Sequence, residues 1–256
     1  DGAALAELCR SLAGSLRFVD LSDNPGMDVR GLAAVAAALP CLRQTLLGLS
    51  LRGTGAVRGA GTAALTAALE QLDALEELDV SGNDGLGVAG LARVVAALPR
   101  SVRVVRAGSR ELFEDASWRP GQSREGRPTG RVEAAGRVEN LDLGVRGAHV
   151  RAPAVVVEAV MRGLVAPLAP GLERLSLAGV QLSGPVCGAA LAKAVRSMRA
   201  LRSLNARGCH LSDESVAEVV RALPPTTEEL DVVLNGAYDK AGAALAEAVG
   251  ARGALA

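Results

Sequence analysis

Residues 75–83 read LEELDVSGN, followed by DGLGVAGLARVVAALP through residue 99. Leu78 and Val80 alternate with the acidic Glu77 and Asp79, a period of two that marks a short strand with one buried face. Past the Gly-rich turn the spacing changes. Val88, Leu91, Val95 and Leu98 fall on one stripe of a helix, and Pro99 denies the next turn its backbone donor. One strand and one helix, in that order, make up the unit.

The same wording recurs along the chain. Copies of apolar-x-x-apolar-x-apolar begin at Leu16 (LRFVDLSDN), Leu46 (LLGLSLRGT), Leu75, Val102 (VRVVRAGSR), Val138 (VENLDLGVR), Leu172 (LERLSLAGV), Leu201 (LRSLNARGC) and, more weakly, Thr227 (TEELDVVLN). Helical spacing follows the first copy as well, at Val29, Leu32, Ala36 and Leu39, and Leu-Pro pairs punctuate at Pro40, Pro99 and Pro224. A strand and helix of about 29 residues cannot enclose a core alone, so units must stack, with strands side by side and helices behind them.

These segments resemble leucine-rich repeats, most closely the ribonuclease-inhibitor class with its long helix-bearing unit. The resemblance covers Leu16 to Gly250 and implies an α/β horseshoe of about eight units, with a parallel concave sheet and convex helices. Asn24, Asn83, Asn235 and Cys209 stand at the ninth position, where that family places a side chain bonded to neighbouring loop backbone. Thr54, Arg110, Arg146 and Val180 depart from it. On this reading the chain is one array: residues 1–13 complete a preceding repeat, 16–110 hold four, 111–136 are an irregular insertion read as a loop, and 137–256 hold four more. The segment from Arg252 is read as the start of another unit. Neither end resembles a polar cap, so the chain is expected to be part of a longer array or to have its ends covered.

Composition restricts the chemistry. Lys and Arg total 28 against 28 Asp and Glu, so the neutral chain lacks the basic footprint of a nucleic-acid or anionic-membrane binder. Aromatics are 2% of residues, leaving Leu, Val and Ala to build the core. His149 and His210 are the only histidines, and Cys9, Cys41, Cys187 and Cys209 stand far apart; neither pattern has metal-site spacing, and no cofactor is expected. The four cysteines read as buried structural thiols in a reducing, intracellular setting, cytoplasmic or within an organellar or cytoskeletal assembly. No apolar run reaches the roughly 18 residues of a membrane span.

Two surfaces are candidates for binding. In the insertion, Phe113 and Trp118 lie among Arg119, Arg124, Arg127 and Arg131, residue types that dominate interface hot spots; a tolerated surface loop is the alternative. The strand phase sets Asp20, Ser50, Asp79, Arg106, Asp142, Ser176, Asn205 and Asp231 in one solvent-facing column, whose aspartates suit a basic partner. An ordinary solvated face is the alternative there. The sequence therefore predicts a non-enzymatic scaffold for other proteins, with no small-molecule substrate. The resemblance also implies two alternatives, a GTPase activator of the Ran-activator type and the sensing array of a NOD-like receptor. For the former, Arg103, Arg106 and Arg110 are the nearest arginines able to act on a phosphate, but the family's arginine-and-asparagine loop has no match here. The turn at Gly82–Gly87 lacks the lysine of a phosphate-binding loop.

Overall fold

The structure is a computed structural model that describes residues 2–114, 138–145 and 150–253. The described residues fall into two compact units: 2–112 with 138–141, and 113–114 with 142–145 and 150–253. The division lies within the short helix at 110–114 and the strand at 140–142.

The first unit begins with α1 (Gly2–Ser11) and continues through β1 (Phe18–Asp20), α2 (Val29–Ala38), β2 (Gly48–Ser50), α3 (Ala60–Leu69), β3 (Glu77–Asp79), α4 (Gly87–Ala96), β4 (Val104–Arg106) and the first residues of α5 (Arg110–Glu114). Its strands pair in parallel and in chain order, aligning Phe18, Gly48, Glu77 and Val104 in one row and Asp20, Ser50, Asp79 and Arg106 in another. Between these rows, Val19, Leu49, Leu78 and Val105 point into the core. Leu32 and Val35 of α2, Leu65 and Leu69 of α3, and Leu91 and Val94 of α4 meet them from the helical side and are fully buried. Each such side chain contributes about 1.5–3 kcal/mol by leaving water.

The second unit takes up β5 (Asn140–Asp142) at Asp142 and then runs through β6 (Val150–Arg151), α6 (Ala154–Val160), a wide helical turn at Met161–Val165 that leads into α7 (Ala166–Leu168), β7 (Arg174–Ser176), β8 (Val180–Gln181), α8 (Pro185–Arg196), β9 (Ser203–Asn205), α9 (Asp213–Ala222), β10 (Glu229–Asp231) and α10 (Asp239–Gly253). Here β7, β9 and β10 are parallel, with Ser176, Asn205 and Asp231 in register. A second parallel pair joins β6 to β8, with Val150 opposite Val180 and Arg151 opposite Gln181.

A backbone rule underlies the repeat. At its eighth position the chain adopts positive φ at Asp23, Gly53, Gly82, Gly179, Gly208 and Leu234. Four of these are glycine, which reaches that conformation without the cost a Cβ imposes. From there the amide donates to the next repeat: Asp23 to the Arg52 carbonyl at 2.7 Å, Gly53 to Ser81 at 2.9 Å, Gly82 to Gly108 at 2.8 Å, Gly179 to Arg207 at 2.9 Å and Gly208 to Val233 at 2.8 Å.

Four expectations are corrected. At Pro40 the helix does not stop but tightens into a 3-10 turn, Leu39–Leu42, because proline is well accepted in a first turn. The segment from Glu111 does not begin as a loop: residues through Glu114 are helical, and Phe113 is fully buried. Arg252 and Gly253 complete α10 rather than opening another unit. Of the four thiols, Cys9, Cys187 and Cys209 are buried, but Cys41 is exposed because the 3-10 turn holds it on its outer side.

Candidate interaction surface

The solvent-facing ends of the strands are organised by one local device. Asp20 Oδ1 accepts from the Ser22 amide at 2.9 Å, Asp79 Oδ1 from Ser81 at 2.9 Å, Asp142 Oδ1 from Gly144 at 2.9 Å, Asn205 Oδ1 from Arg207 at 3.0 Å and Asp231 Oδ1 from Val233 at 3.0 Å. Each is an Asx turn that closes the strand onto its loop. The aspartates of the predicted column thus have a structural task, with one oxygen tied to backbone. At Asp20 the Ser22 hydroxyl and amide hold the carboxyl below its ordinary range.

Neighbouring side chains extend the order across each unit. In the first, the Ser22 and Ser50 hydroxyls are 2.6 Å apart, Arg52 pairs with Asp23, and Arg106 reaches Glu77 at 3.2 Å. The Phe18 ring, 64% exposed, rests over Gly48, where any Cβ would lie 2.7 Å from the ring. Arg103, considered above for phosphate chemistry, is paired with Glu139. In the second unit Arg202 stands between Glu173 at 3.6 Å and Glu228 at 2.5 Å, while Arg207 approaches Asp231 at 3.8 Å. Exposed pairs of this kind stabilise little, typically under about 1 kcal/mol each, but they fix side-chain directions.

Beneath the face, the ninth-position side chains lock adjacent turns. Asn83 is completely buried; its Nδ2 donates to the carbonyls of Leu51 at 2.8 Å and Val80 at 2.9 Å, and its Oδ1 accepts from the Gly55 amide at 2.8 Å and the Thr54 hydroxyl at 3.0 Å. Asn235 donates to Ala206 at 2.8 Å and accepts from Leu211 at 2.9 Å. Cys209 donates its thiol to Leu177 at 3.2 Å, and burial pushes that thiol up to about 12. Asn24 bonds only within its own turn, to Leu21 and Ser22. Of the departures, Thr54 joins the ladder through Asn83, while Val180 leaves it and is buried in β8.

The column residues Asp20, Asp79 and Arg106 share one unit, and Asp231 lies in the other with Ser176 and Asn205. Phe113 is core. Trp118, Arg119, Arg124, Arg127, Arg131, Arg146 and His149 lie outside the described residues. Among the described residues no group of three or more His, Cys, Asp or Glu is placed to hold a metal, and no helix is long and apolar enough to cross a membrane.

No family model and no curated protein matches the sequence. Among solved structures, the leucine-rich repeat-containing protein LegL7 from Legionella pneumophila superimposes with a TM-score of 0.56 at 17% identity, over 90% of this chain and 69% of that one. The fold is a leucine-rich repeat. An internalin from Listeria monocytogenes (TM-score 0.43, 15% identity, 94% of this chain and 66% of that one) and the tropomodulin C-terminal domain of Caenorhabditis elegans (0.41, 14%, 77% and 93%) are more distant matches. The strand-then-helix order, the parallel pairing and the buried ninth-position asparagine of this chain are those expected of the repeat.

Proposed function

We propose that this leucine-rich-repeat chain is a non-enzymatic interaction scaffold that holds other proteins within a larger intracellular assembly. The supporting observation is the order of its strand face. Asx turns and cross-strand pairs immobilise the polar side chains before any partner arrives, so association forgoes much of the side-chain entropy a mobile surface would lose. The same bonds occupy the carboxylates and arginines that chemistry would need. Phe18, flat and exposed beside Gly48, supplies an aromatic anchor in the first unit. Four free thiols accord with a reducing compartment. Trp118 with Arg119, Arg124 and Arg127 is retained as a second contact element.

Carboxylate-directed cross-linking with mass spectrometry on the gently purified native protein tests this reading. Reproducible links to other proteins from Asp20, Asp79 or Asp231, lost in the Phe18→Asp or Arg207→Glu variants, are the expected result. A native protein that yields no such links overturns it. Trp118→Ala tests the second element: unaltered association removes it.

A further inference from the structure

Two of the four thiols belong to one packed contact. Among the described positions of α1, Ala6 and Cys9, three residues apart, are buried, while Glu7, Leu8, Arg10 and Ser11 are exposed. That buried stripe faces the first repeat: α1 packs on α2 and on the 3-10 turn Leu39–Leu42, and the Thr45 hydroxyl just past the turn donates to the Ala13 carbonyl at 3.3 Å. Cα atoms of α1 and of the turn come within 8 Å of each other, close to the about 4.4–6.8 Å that a disulfide spans.

Within the turn, three residues per revolution put Leu39 and Leu42 on one side, where both are fully buried, and leave Cys41 in solvent. Burial, and after it the charge of Cys41, hold the Cys9 thiol above its ordinary value of 9.0, with Arg10 acting in the opposite sense. The two thiols are therefore neighbours across the contact between α1 and the turn. Cys187 and Cys209, both fully buried in the second unit, feel the charge of a carboxylate instead, Glu158 and Asp231 respectively. An exposed thiol beside a shielded one is the arrangement in which the first meets an oxidant and the second resolves it.

We propose that Cys41 and Cys9 are a peroxide-responsive pair that closes a disulfide between α1 and the turn Leu39–Leu42. The Cys41 thiolate attacks one oxygen of hydrogen peroxide. The O–O bond breaks, the departing hydroxide takes up the proton the thiol had released and leaves as water, and the sulfur, two electrons poorer, is a sulfenic acid. The Cys9 sulfur then gives up its proton and attacks the Cys41 sulfur; the S–O bond breaks, and that hydroxide leaves as water with the proton from Cys9. Two thiols and one peroxide thus give one disulfide and two waters. Closure requires Cys41 to swing from the outer side of its turn toward α1, a side-chain rotation in a short exposed segment. Burial keeps Cys9 from direct oxidation until then. An external dithiol reopens the bond by exchange. Neither cysteine lies on the strand face, so this site stands or falls independently of the scaffold reading.

In the test, the fully reduced 256-residue protein is treated with hydrogen peroxide at neutral pH, quenched with N-ethylmaleimide in denaturant and examined by mass spectrometry. Two of the four thiols are expected to become unreactive, with the tryptic peptides DGAALAELCR and GLAAVAAALPCLR joined and dithiothreitol separating them. The rate per chain does not change on about tenfold dilution, as closure within one molecule requires. Cys41→Ser, at an exposed position, abolishes the link and leaves Cys9 open to alkylation. Cys9→Ala halts the reaction at the Cys41 sulfenic acid, which dimedone traps; should that variant not fold, the joined peptides of the unaltered protein still decide. A Cys41–Cys41 dimer, a link from Cys41 to Cys187 or Cys209, or a Cys41 sulfenic acid that accumulates in the unaltered protein overturns the proposal. So does complete alkylation of all four thiols after peroxide.

Discussion

Replacing Asn83 by leucine keeps the branched shape of the side chain, exchanges its polar branches for larger methyl groups and removes five hydrogen bonds at once. Leu51's carbonyl retains a partner in the Thr54 hydroxyl at 3.1 Å, so its loss is small. The Val80 carbonyl and the Gly55 amide lose the side-chain partner that closes their turns. A buried polar group left unpaired costs about 1–3 kcal/mol, and Gly55 lies close enough to water to recover part of that. The expected destabilisation is about 3 kcal/mol, a large share of the 5–15 kcal/mol typical of a domain. For a unit of this size it lowers Tm by roughly 12 °C. Asn83→Asp keeps both acceptors but loses both donors and buries a charge, so it is at least as damaging. Because repeats stabilise one another as nearest neighbours, the lesion is local to the second and third repeats. The assay is urea unfolding followed by circular dichroism, with amide exchange at Gly55 as the local probe, and a double-mutant cycle with Thr54→Val gives the Asn83–Thr54 coupling. A loss below about 0.5 kcal/mol, or unchanged exchange at Gly55, refutes the assignment of this residue as the lock between turns.

Leu234→Gly relieves a side chain held at positive φ and raises the unfolding free energy by about 1 kcal/mol, measured by the same urea titration. Gly188 of α8 faces α9 so closely that a Cβ would lie 2.4 Å from the Ser215 Cβ; Gly188→Ala costs about 1–3 kcal/mol, whereas Gly242→Ala, in open space on α10, adds up to about 1 kcal/mol, and reversal of that order in thermal melts refutes the packing. Asp213 caps α10 by accepting from the amides of Tyr238, Lys240 and Ala241, of which the last pulls its carboxyl down most from the ordinary value of 3.8. Its contribution is therefore complete above about pH 4 and disappears as the pH falls through the lowered native value, so Asp213→Asn frays α10 at neutral pH and flattens the acid limb of helicity against pH. Cys41 alkylates first under native conditions and Cys209 last, because only the former is exposed and burial holds the latter's thiol far above neutrality; mass spectrometry after timed iodoacetamide treatment checks the order.

The strands were legible because two facing environments impose a period of two on any sequence that satisfies both. Every strand start inferred from Leu16 to Thr227 lies within two residues of an observed strand. The column of Asp20, Asp79, Asp142 and Asp231 was legible as solvent-facing for the same reason. Its task in closing turns was not, since an Asx turn depends on where the amide two residues on comes to lie. One signal was available and unused: glycine at the eighth position of four repeats marks the positive φ that Asp23 and Leu234 share. Phe113 was misjudged because an aromatic among arginines and prolines reads as surface, while a single helical turn is enough to carry it into the core.

Length, periodicity and the recurrence of one short phrase determined by themselves that strands and helices alternate, that they stack, and which face of each is buried. These follow from local alternation of apolar and polar side chains, which adjacent residues express without reference to distant ones. The pairing of Arg202 with two glutamates from neighbouring repeats and the bonds of Asn83 to Leu51, Thr54 and Gly55 were decided only by tertiary structure. Each joins groups about 26–32 residues apart, and a single chain records such relations only when the repeats are laid side by side.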